Sequence, residues 1–247
     1  MSSIINSPNL PEGKVKALIC TDKDGAVVDF FKSKGISVIS NQENPDIDPA
    51  VSFHADMAVL HTGSNNIILD KRQKKLKEEL KKAGFSVYET VKEIKGGYPN
   101  DIRLNVAVMG ELVLGNTAHT DKNALNLLSA KKSITVKQGY AKCSTLVLNE
   151  NAAITDDESI NRKCSENGID CLLISKGDVF LSGHGYGFIG GASGKISKKG
   201  VVFFGDIEKH RDFSLISAFL QKHGFTYNCT DKGPLRDIGG IIPLIEE

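Results

Sequence analysis

The sequence has no tryptophan, and aromatic residues make up only 6% of its 247 residues. It also has no excess of either charge, because 31 Lys and Arg residues are balanced by 30 Asp and Glu residues. A nucleic-acid-binding surface needs clustered positive charge, so this balance argues against one. The basic run at 70–82 includes Glu78 and Glu79 and is typical of a solvated helix face, not of a membrane or nucleic-acid site.

Long apolar runs are missing as well. No stretch reaches the ~18 residues of a transmembrane helix, and the first residues lack the basic and apolar parts of a signal peptide. The cysteines are odd in number and form no C-x-x-C pair: Cys20, Cys143, Cys164, Cys171 and Cys229. This favours a cytoplasmic protein with free thiols over a disulfide framework or zinc site. We expect no metal, no cofactor and neither a membrane nor a nucleic-acid partner.

The sequence does contain a recurring aspartate after a short apolar run. The five positions are Asp22, Asp70, Asp121, Asp156 and Asp206. Each is predicted to cap a helix, where a carboxylate accepts hydrogen bonds from free backbone N–H groups. The predicted helices cover 22–34, 71–83, 121–129, 157–167 and 207–223. Four are followed by a glycine suited to the left-handed conformation: Gly35, Gly84, Gly168 and Gly224.

Three short strand-like runs fit between consecutive helices, two of them joined as a hairpin. This predicts an α/β fold of strand–strand–helix–strand units in one domain spanning 1–247, with 1–13 as a flexible segment. A doubly wound sheet would instead alternate single strands with helices. The fifth unit is complete only if 239–245 pairs with 15–20, which would join the two ends of the chain and close a ring.

Two stretches carry a family resemblance. The segment 35–69, with its Pro-Asp text and short acidic motif before an apolar strand, resembles the opening of dimethylarginine hydrolases. "RDIGG" (236–240) resembles motifs on inner strands of deiminases. Together with the five units, these resemble the pentein superfamily of guanidino-modifying enzymes: deiminases, dimethylarginine hydrolases and amidinotransferases. The resemblance implies a five-bladed α/β propeller. The same fold also serves a non-catalytic ribosome anti-association factor, so a non-catalytic binding protein is the alternative.

The resemblance further implies that substrate binds where the five inner strands begin. Those beginnings are "FHADMA" (53–58), "NDIRLN" (100–105), "GYAKCST" (139–145), "SGHGYGF" (182–188) and "PLRDIGG" (234–240). If "FHADMA" is a strand, His54 and Asp56 project to the same side, towards the central channel. The structural alternative is an ordinary solvated strand end.

Catalysis allows two interpretations. In simple chain order, the family nucleophile lies on the last inner strand, but 239–245 contains no cysteine, and the family histidine falls near Tyr140. This leaves a non-catalytic branch. If the family's catalytic positions are instead assigned to units shifted around the ring, the resemblance implies catalytic roles for four residues: Cys143, His54, Asp56 and Asp237.

In that second interpretation, Cys143 attacks as a thiolate favoured by Lys142 or a protonated His54. His54 then protonates the leaving amine and activates water. The structural alternative for Cys143 is a small core residue.

The predicted substrate-binding residues are Asp101, Arg103, Asn105, Lys142, His184 and Arg236. Carboxylates could hold a planar guanidinium through paired charge-assisted hydrogen bonds, and Arg103 or Arg236 could bind a substrate carboxylate. Asp101 could instead simply pair with Arg103. The sequence thus predicts a protein that binds a guanidino or amidino compound, with thiol-dependent hydrolysis or transfer as an extension. It does not determine the oligomeric state.

Overall fold

The computed structural model describes residues 2–247. The strands are β1 Ser3–Ile4, β2 Val15–Ile19, β3 Ser37–Ile39, β4 Val59–Gly63, β5 Asn66–Leu69, β6 Ser86–Glu89, β7 Ala107–Met109, β8 Leu112–Gly115, β9 Lys132–Thr135, β10 Thr145–Asn149, β11 Ala152–Thr155, β12 Asp170–Leu173, β13 Val179–Phe180, β14 Ser193–Lys195, β15 Gly200–Phe203, β16 Thr226–Cys229, β17 Leu235–Arg236 and β18 Ile242–Glu246. The helices are α1 Gly25–Ser33, α2 Ala55–Ala58, α3 Lys74–Lys82, α4 Lys122–Leu127, α5 Glu158–Glu166 and α6 Phe213–Lys222.

Four three-stranded sheets repeat one pattern: β4-β5-β6, β7-β8-β9, β10-β11-β12 and β14-β15-β16. In each, an antiparallel hairpin is followed by a third strand that pairs in parallel with the second. A helix lies between the second and third strands, as a parallel connection requires. This is the predicted unit, so the mixed α/β class is confirmed. An extra two-stranded parallel pair, β13 with β17, was not predicted.

The remaining sheet combines both ends of the chain. Strand β18 pairs antiparallel with β2, with Ile242 opposite Ile19, and β2 pairs in parallel with β3. The predicted pairing of 239–245 with 15–20 is confirmed. Strand β1 lies on the other side of β18, and Ile5 is fully buried. The prediction that 1–13 is flexible is therefore wrong for the described part of that segment.

The helix ends follow the predicted chemistry with shifts in position. Asp121 caps α4 and Asp206 caps the 3-10 turn Ile207–Lys209, both as predicted. The caps of α1 and α5 are instead Asp24 and Asp157, and α3 begins after Gln73, which makes no side-chain capping bond. The four predicted glycines all have left-handed φ values: Gly35, Gly84, Gly168 and Gly224. The predicted helix 207–223 is divided into the 3-10 turn and α6.

The predicted inner strands begin later than the sequence suggested. "FHADMA" ends in the single helical turn α2, and β7 begins only at Ala107. Residues 185–190, predicted as a strand, are irregular, and the inner strand of that unit is β14. The backbone around this irregular segment is crowded, because a Cβ at Gly190 would overlap the carbonyl oxygen of Lys142. The backbones there approach too closely for a side chain to fit between them.

The apolar core is shared between neighbouring sheets. One cluster combines Leu146 of β10 with Phe203 of β15 and Phe219 of α6. Another joins Leu18 of β2 to Phe204, which directly follows β15, so the last complete unit packs against the sheet formed by the chain ends. In the described residues, no helix is both long and apolar enough to cross a membrane.

Candidate functional site

A cavity of about 620 Å³ lies against the turn before α2 and the segment after β17. This volume is within the usual range of small-molecule sites. Four of the predicted site residues line it: His54, His184, Arg236 and Asp237. The other six lie outside its lining: Asp56, Asp101, Arg103, Asn105, Lys142 and Cys143. The structure therefore divides the predicted site into two parts.

The buried polar part of the cavity wall is the pair His54 and Asp237. Their side chains are 5% and 1% exposed, and His54 Nδ1 lies 3.6 Å from Asp237 Oδ1. The Asp237 carboxylate accepts hydrogen bonds from the backbone N–H groups of Phe188 (2.9 Å) and Gly239 (3.0 Å). Among the described residues, His54 Nδ1 has no hydrogen-bond partner. The carboxylate is held by backbone, while the imidazole beside it is left with an unused polar atom.

Glycines make room for this pair. A Cβ at Gly191 would overlap the Asp237 carboxylate, and a Cβ at Gly239 would overlap His54. Gly239 also has φ +81°, a conformation that other residues resist. The first glycine after Asp237 in "RDIGG" thus has a steric role, and together with Gly191 it allows Asp237 and His54 to approach each other.

Asp56 does not line the cavity with His54, and the prediction from strand alternation is wrong because the segment is not a strand. His54 is the extended N-cap residue of the helical turn α2, and Asp56 lies inside that turn. His54 lines the cavity, whereas the Asp56 carboxylate accepts a hydrogen bond from the Cys143 thiol, with Oδ2 2.8 Å from Sγ.

Asn105 holds Cys143 from the other side. Its Nδ2 donates to Cys143 Sγ at 3.1 Å, and its Oδ1 accepts from the N–H groups of Lys142 and Cys143 at 2.9 and 3.2 Å. Cys143, Asp56 and Asn105 are each at most 3% exposed. We call these three residues the buried thiol cluster. Asn105 positions the turn before β10 and does not reach the cavity.

The electrostatics of the buried thiol cluster oppose a thiolate. Burial raises the pKa of the Cys143 thiol well above its usual range, and the carboxylates of Asp56 and Asp237 raise it further. Burial also raises the pKa of Asp56 to about 6, although His54 and Lys142 act in the opposite direction. This direction is opposite to the one expected from a nearby cation, because desolvation and carboxylates dominate at Cys143.

Lys142 lies on a different side of the buried thiol cluster from the cavity. It lines two small voids with Asn9, apart from the 620 Å³ cavity. Its predicted role as a substrate-binding cation in the cavity is not supported by this position.

Arg236 lines the cavity, but its charge is already compensated. Nε donates to Asp24 Oδ2 and Nη2 to Asp231 Oδ2, both at 2.7 Å. These bonds raise the pKa of Arg236 above its usual value and lower the pKa of Asp231 to about 2. Asp24 also caps α1, so the arginine ties α1 to β17. A bidentate bond from Arg236 to a substrate carboxylate would have to compete with these partners.

The remaining predicted residues have local partners. At the cavity rim, His184 Nε2 lies 3.2 Å from Asp48 Oδ2, and both side chains are well exposed. Outside the cavity, Asp101 accepts from the Tyr140 hydroxyl at 2.8 Å, while Arg103 donates to Asn100 at 3.0 Å. The alternative in which Asp101 pairs with Arg103 is wrong.

Sequence reasoning missed Asp156 as a site candidate and took it for a cap. It is 3% exposed, and its Oδ2 accepts from the Ile189 N–H at 2.9 Å. Its Oδ1 has no partner among the described residues, and burial raises its pKa to about 7. The sequence pattern that could have revealed it is the pair of adjacent aspartates Asp156 and Asp157, because only one carboxylate caps α5. The backbone donors at Phe188 and Gly239 had no sequence signal.

Within residues 2–247, no group of three or more His, Cys, Asp and Glu side chains is placed to hold a metal ion.

The family model of DUF6873, described as a family of unknown function, matches residues 19–242. The chain belongs to the DUF6873 family. No curated protein matches it by sequence.

Solved structures of other proteins share the fold of this DUF6873 chain. The amidinotransferase SxtG from Microseira wollei matches at 10% identity and TM-score 0.60, covering 97% of each chain. Inosamine-phosphate amidinotransferase from Streptomyces griseus matches at 11% identity and TM-score 0.62, covering 98% of this chain and 97% of its own. The dimethylarginine dimethylaminohydrolase (DDAH) from Pseudomonas aeruginosa, complexed with citrulline, matches at 12% and 0.57, with 88% and 92% covered. The pentein fold predicted from the sequence is confirmed.

Proposed function

We propose that this protein binds a small guanidino or amidino compound in the 620 Å³ cavity, with the cationic group against Asp237 and His54. The observation that carries the proposal is the buried Asp237 carboxylate beside a histidine with an unpartnered Nδ1. A carboxylate has about four acceptor sites, so two backbone bonds leave room for a planar donor group. A guanidinium suits such an acceptor through charge-assisted bonds.

The charge of the cavity supports a cation. Its ionisable lining consists of the carboxylates Asp24, Asp48 and Asp237, the cations Lys23 and Arg236, and two histidines. With the histidines counted as neutral, three negative against two positive groups leave one net negative charge. Among proteins of the same fold, one agmatine deiminase is described with its substrate bound and one DDAH with citrulline. These names favour guanidino chemistry as the ligand class.

The proposal extends to the whole molecule. We infer that the five sheets of three or more strands close as a five-bladed propeller, because the β18–β2 pairing and the shared clusters connect the first of them to the last. We also infer one domain over 1–247. A cytoplasmic location is in keeping with five free cysteines.

Hydrolysis or transfer by Cys143 is a second candidate. It is favoured by one observation, the 2.8 Å bond that could pass the thiol proton to Asp56. Attack on a guanidinium carbon would require the thiolate to reach a ligand held by Asp237. The burial and raised pKa of Cys143 oppose both steps, so the geometry favours binding without covalent chemistry.

The test is isothermal titration calorimetry with simple guanidines on the wild type and Asp237→Asn. We expect affinity to fall about 10- to 100-fold in the variant, because a charge-assisted hydrogen bond contributes about 1.5–3 kcal/mol. The matched control is Asp178→Asn. Asp178 also faces a histidine, with Oδ2 3.8 Å from His210 Nδ1, but does not line this cavity.

Equal losses in both variants, or no binding by the wild type, would contradict the proposal. In the second case the alternative given above, a non-catalytic binding protein with another small-ligand or macromolecular partner, would take its place.

A further inference from the structure

The apolar part of the cavity indicates what kind of guanidine fits. The wall includes Phe53, Phe180 and Leu181, with Pro49 and Ile238 beside them. Phe180 is 57% exposed, an unusual state for a large apolar side chain. A ligand body packed against Phe180 would bury this surface, so the wall favours an apolar group attached to the cationic head.

The cations at the cavity are poorly suited to bind a carboxylate on the ligand. Arg236 is held by Asp24 and Asp231. Lys23 lies over the Phe53 ring, 4.5 Å from its centroid, and 3.7 Å from Asp22, with its side chain 58% exposed. An ammonium so exposed gives little energy to an ion pair, since water competes and salt screens it.

The histidine at the rim faces a carboxylate as well. His184 Nε2 lies 3.2 Å from Asp48 Oδ2. A ligand carboxylate near this rim would meet the negative charge of Asp48 and Asp24. Among the described residues that line the cavity, every basic side chain at the rim therefore has an acidic partner within the protein.

We propose that the ligand is a monocationic guanidine or amidine with an apolar body and without a carboxylate. This rests on the proposed function, because it places the cationic head at Asp237. It narrows the ligand class, since amino-acid guanidines such as arginine would bring an uncompensated carboxylate to the rim. A desolvated charge without a partner is costly, whereas a methyl group against Phe180 is not.

The experiment compares N-butylguanidine with 4-guanidinobutanoate by calorimetry on the full chain. The two differ only in a terminal methyl group against a carboxylate. We expect N-butylguanidine to bind at least about tenfold more tightly, which corresponds to about 1.4 kcal/mol. Phe180→Ala should weaken N-butylguanidine several-fold and leave unsubstituted guanidinium unchanged. The matched control is Leu215→Ala, which removes an equally exposed apolar side chain, 56% exposed, outside the cavity.

The outcomes separate the two proposals. If 4-guanidinobutanoate binds as tightly as N-butylguanidine or more so, the ligand does carry a carboxylate, and this inference is overturned while the proposed function stands. If Phe180→Ala changes nothing relative to Leu215→Ala, the apolar body does not lie on this wall, and the inference is again overturned. If neither compound binds, the proposed function itself fails.

Discussion

Two buried carboxylates a short distance apart are treated in opposite ways by this fold. Asp237 accepts two backbone N–H bonds and lines a cavity large enough for a ligand. Asp56 accepts a hydrogen bond from the Cys143 thiol and lies outside that cavity, and its Oδ1 has no partner in the described residues. The same residue type thus lines a cavity in one place and belongs to the buried thiol cluster in the other.

The difference comes from what surrounds each carboxylate. Backbone N–H dipoles compensate the Asp237 charge, and the residue lines the cavity in which the proposed cation would lie. Burial at Asp56 penalises the charged form and raises its pKa to about 6. A charged group in a cavity is therefore a better functional candidate than a cysteine beside a carboxylate, even when the latter resembles a catalytic pair.

The largest expected effect concerns Cys143. Iodoacetamide should label Cys143 at least about 1,000-fold more slowly in the native protein than in denaturant, because the reactive thiolate is disfavoured and the sulfur is buried. Site-resolved mass spectrometry measures this, and the half-buried Cys171 and Cys229 serve as internal controls. Faster native labelling of Cys143 than of these two would restore thiol catalysis and remove the contrast between the two carboxylates.

A steric change should damage the Asp237 side selectively. In Gly191→Ala the added Cβ overlaps the Asp237 carboxylate, so we expect about 1–3 kcal/mol lower stability and loss of guanidine binding. In Gly185→Ala, the control, the Cβ meets nothing within 4 Å. Urea unfolding and calorimetry give both quantities. If the two variants behave alike, Asp237 is not held where the cavity needs it.

The smallest effect is a pH dependence at Asp56. Its folded pKa of about 6 is above the ordinary value of 3.8, so the native state binds more protons than the unfolded state between these values. Asp56 therefore favours folding fully below about pH 4, and this contribution is lost as pH rises through 6. Relative to Asp56→Asn, the wild type should lose about 1–3 kcal/mol across that window.

Urea unfolding at several pH values measures this difference. The variant comparison cancels titrating groups that do not interact with Asp56, such as Asp156, whose pKa is also raised, to about 7. A constant difference between wild type and Asp56→Asn would mean that Asp56 is not desolvated, and its contrast with Asp237 would disappear.

Local signals in the chain predicted the repeated unit of the fold. The four glycines after helices are left-handed, and the pairing of 239–245 with 15–20 is found, because a helix end and a strand lacking a partner are short-range facts. The prediction for 1–13 failed because β1 is only two residues long, Ser3–Ile4, which is too short to give a strand pattern in the sequence. The sequence predicted that polar residues precede the inner strands, but it did not predict the backbone conformation of those residues.

The sequence by itself determined the repeated strand–strand–helix–strand unit, the pairing of the two ends of the chain, and the candidacy of His54 and Asp237. Only the tertiary structure decided that α2 is a helical turn, which separates His54 from Asp56, and that Arg236 is neutralised by Asp24 and Asp231. The physical reason is range. Caps and turns depend on nearby residues, whereas burial, charge compensation and access depend on residues brought together by folding, and these decide whether a carboxylate meets a ligand or a thiol.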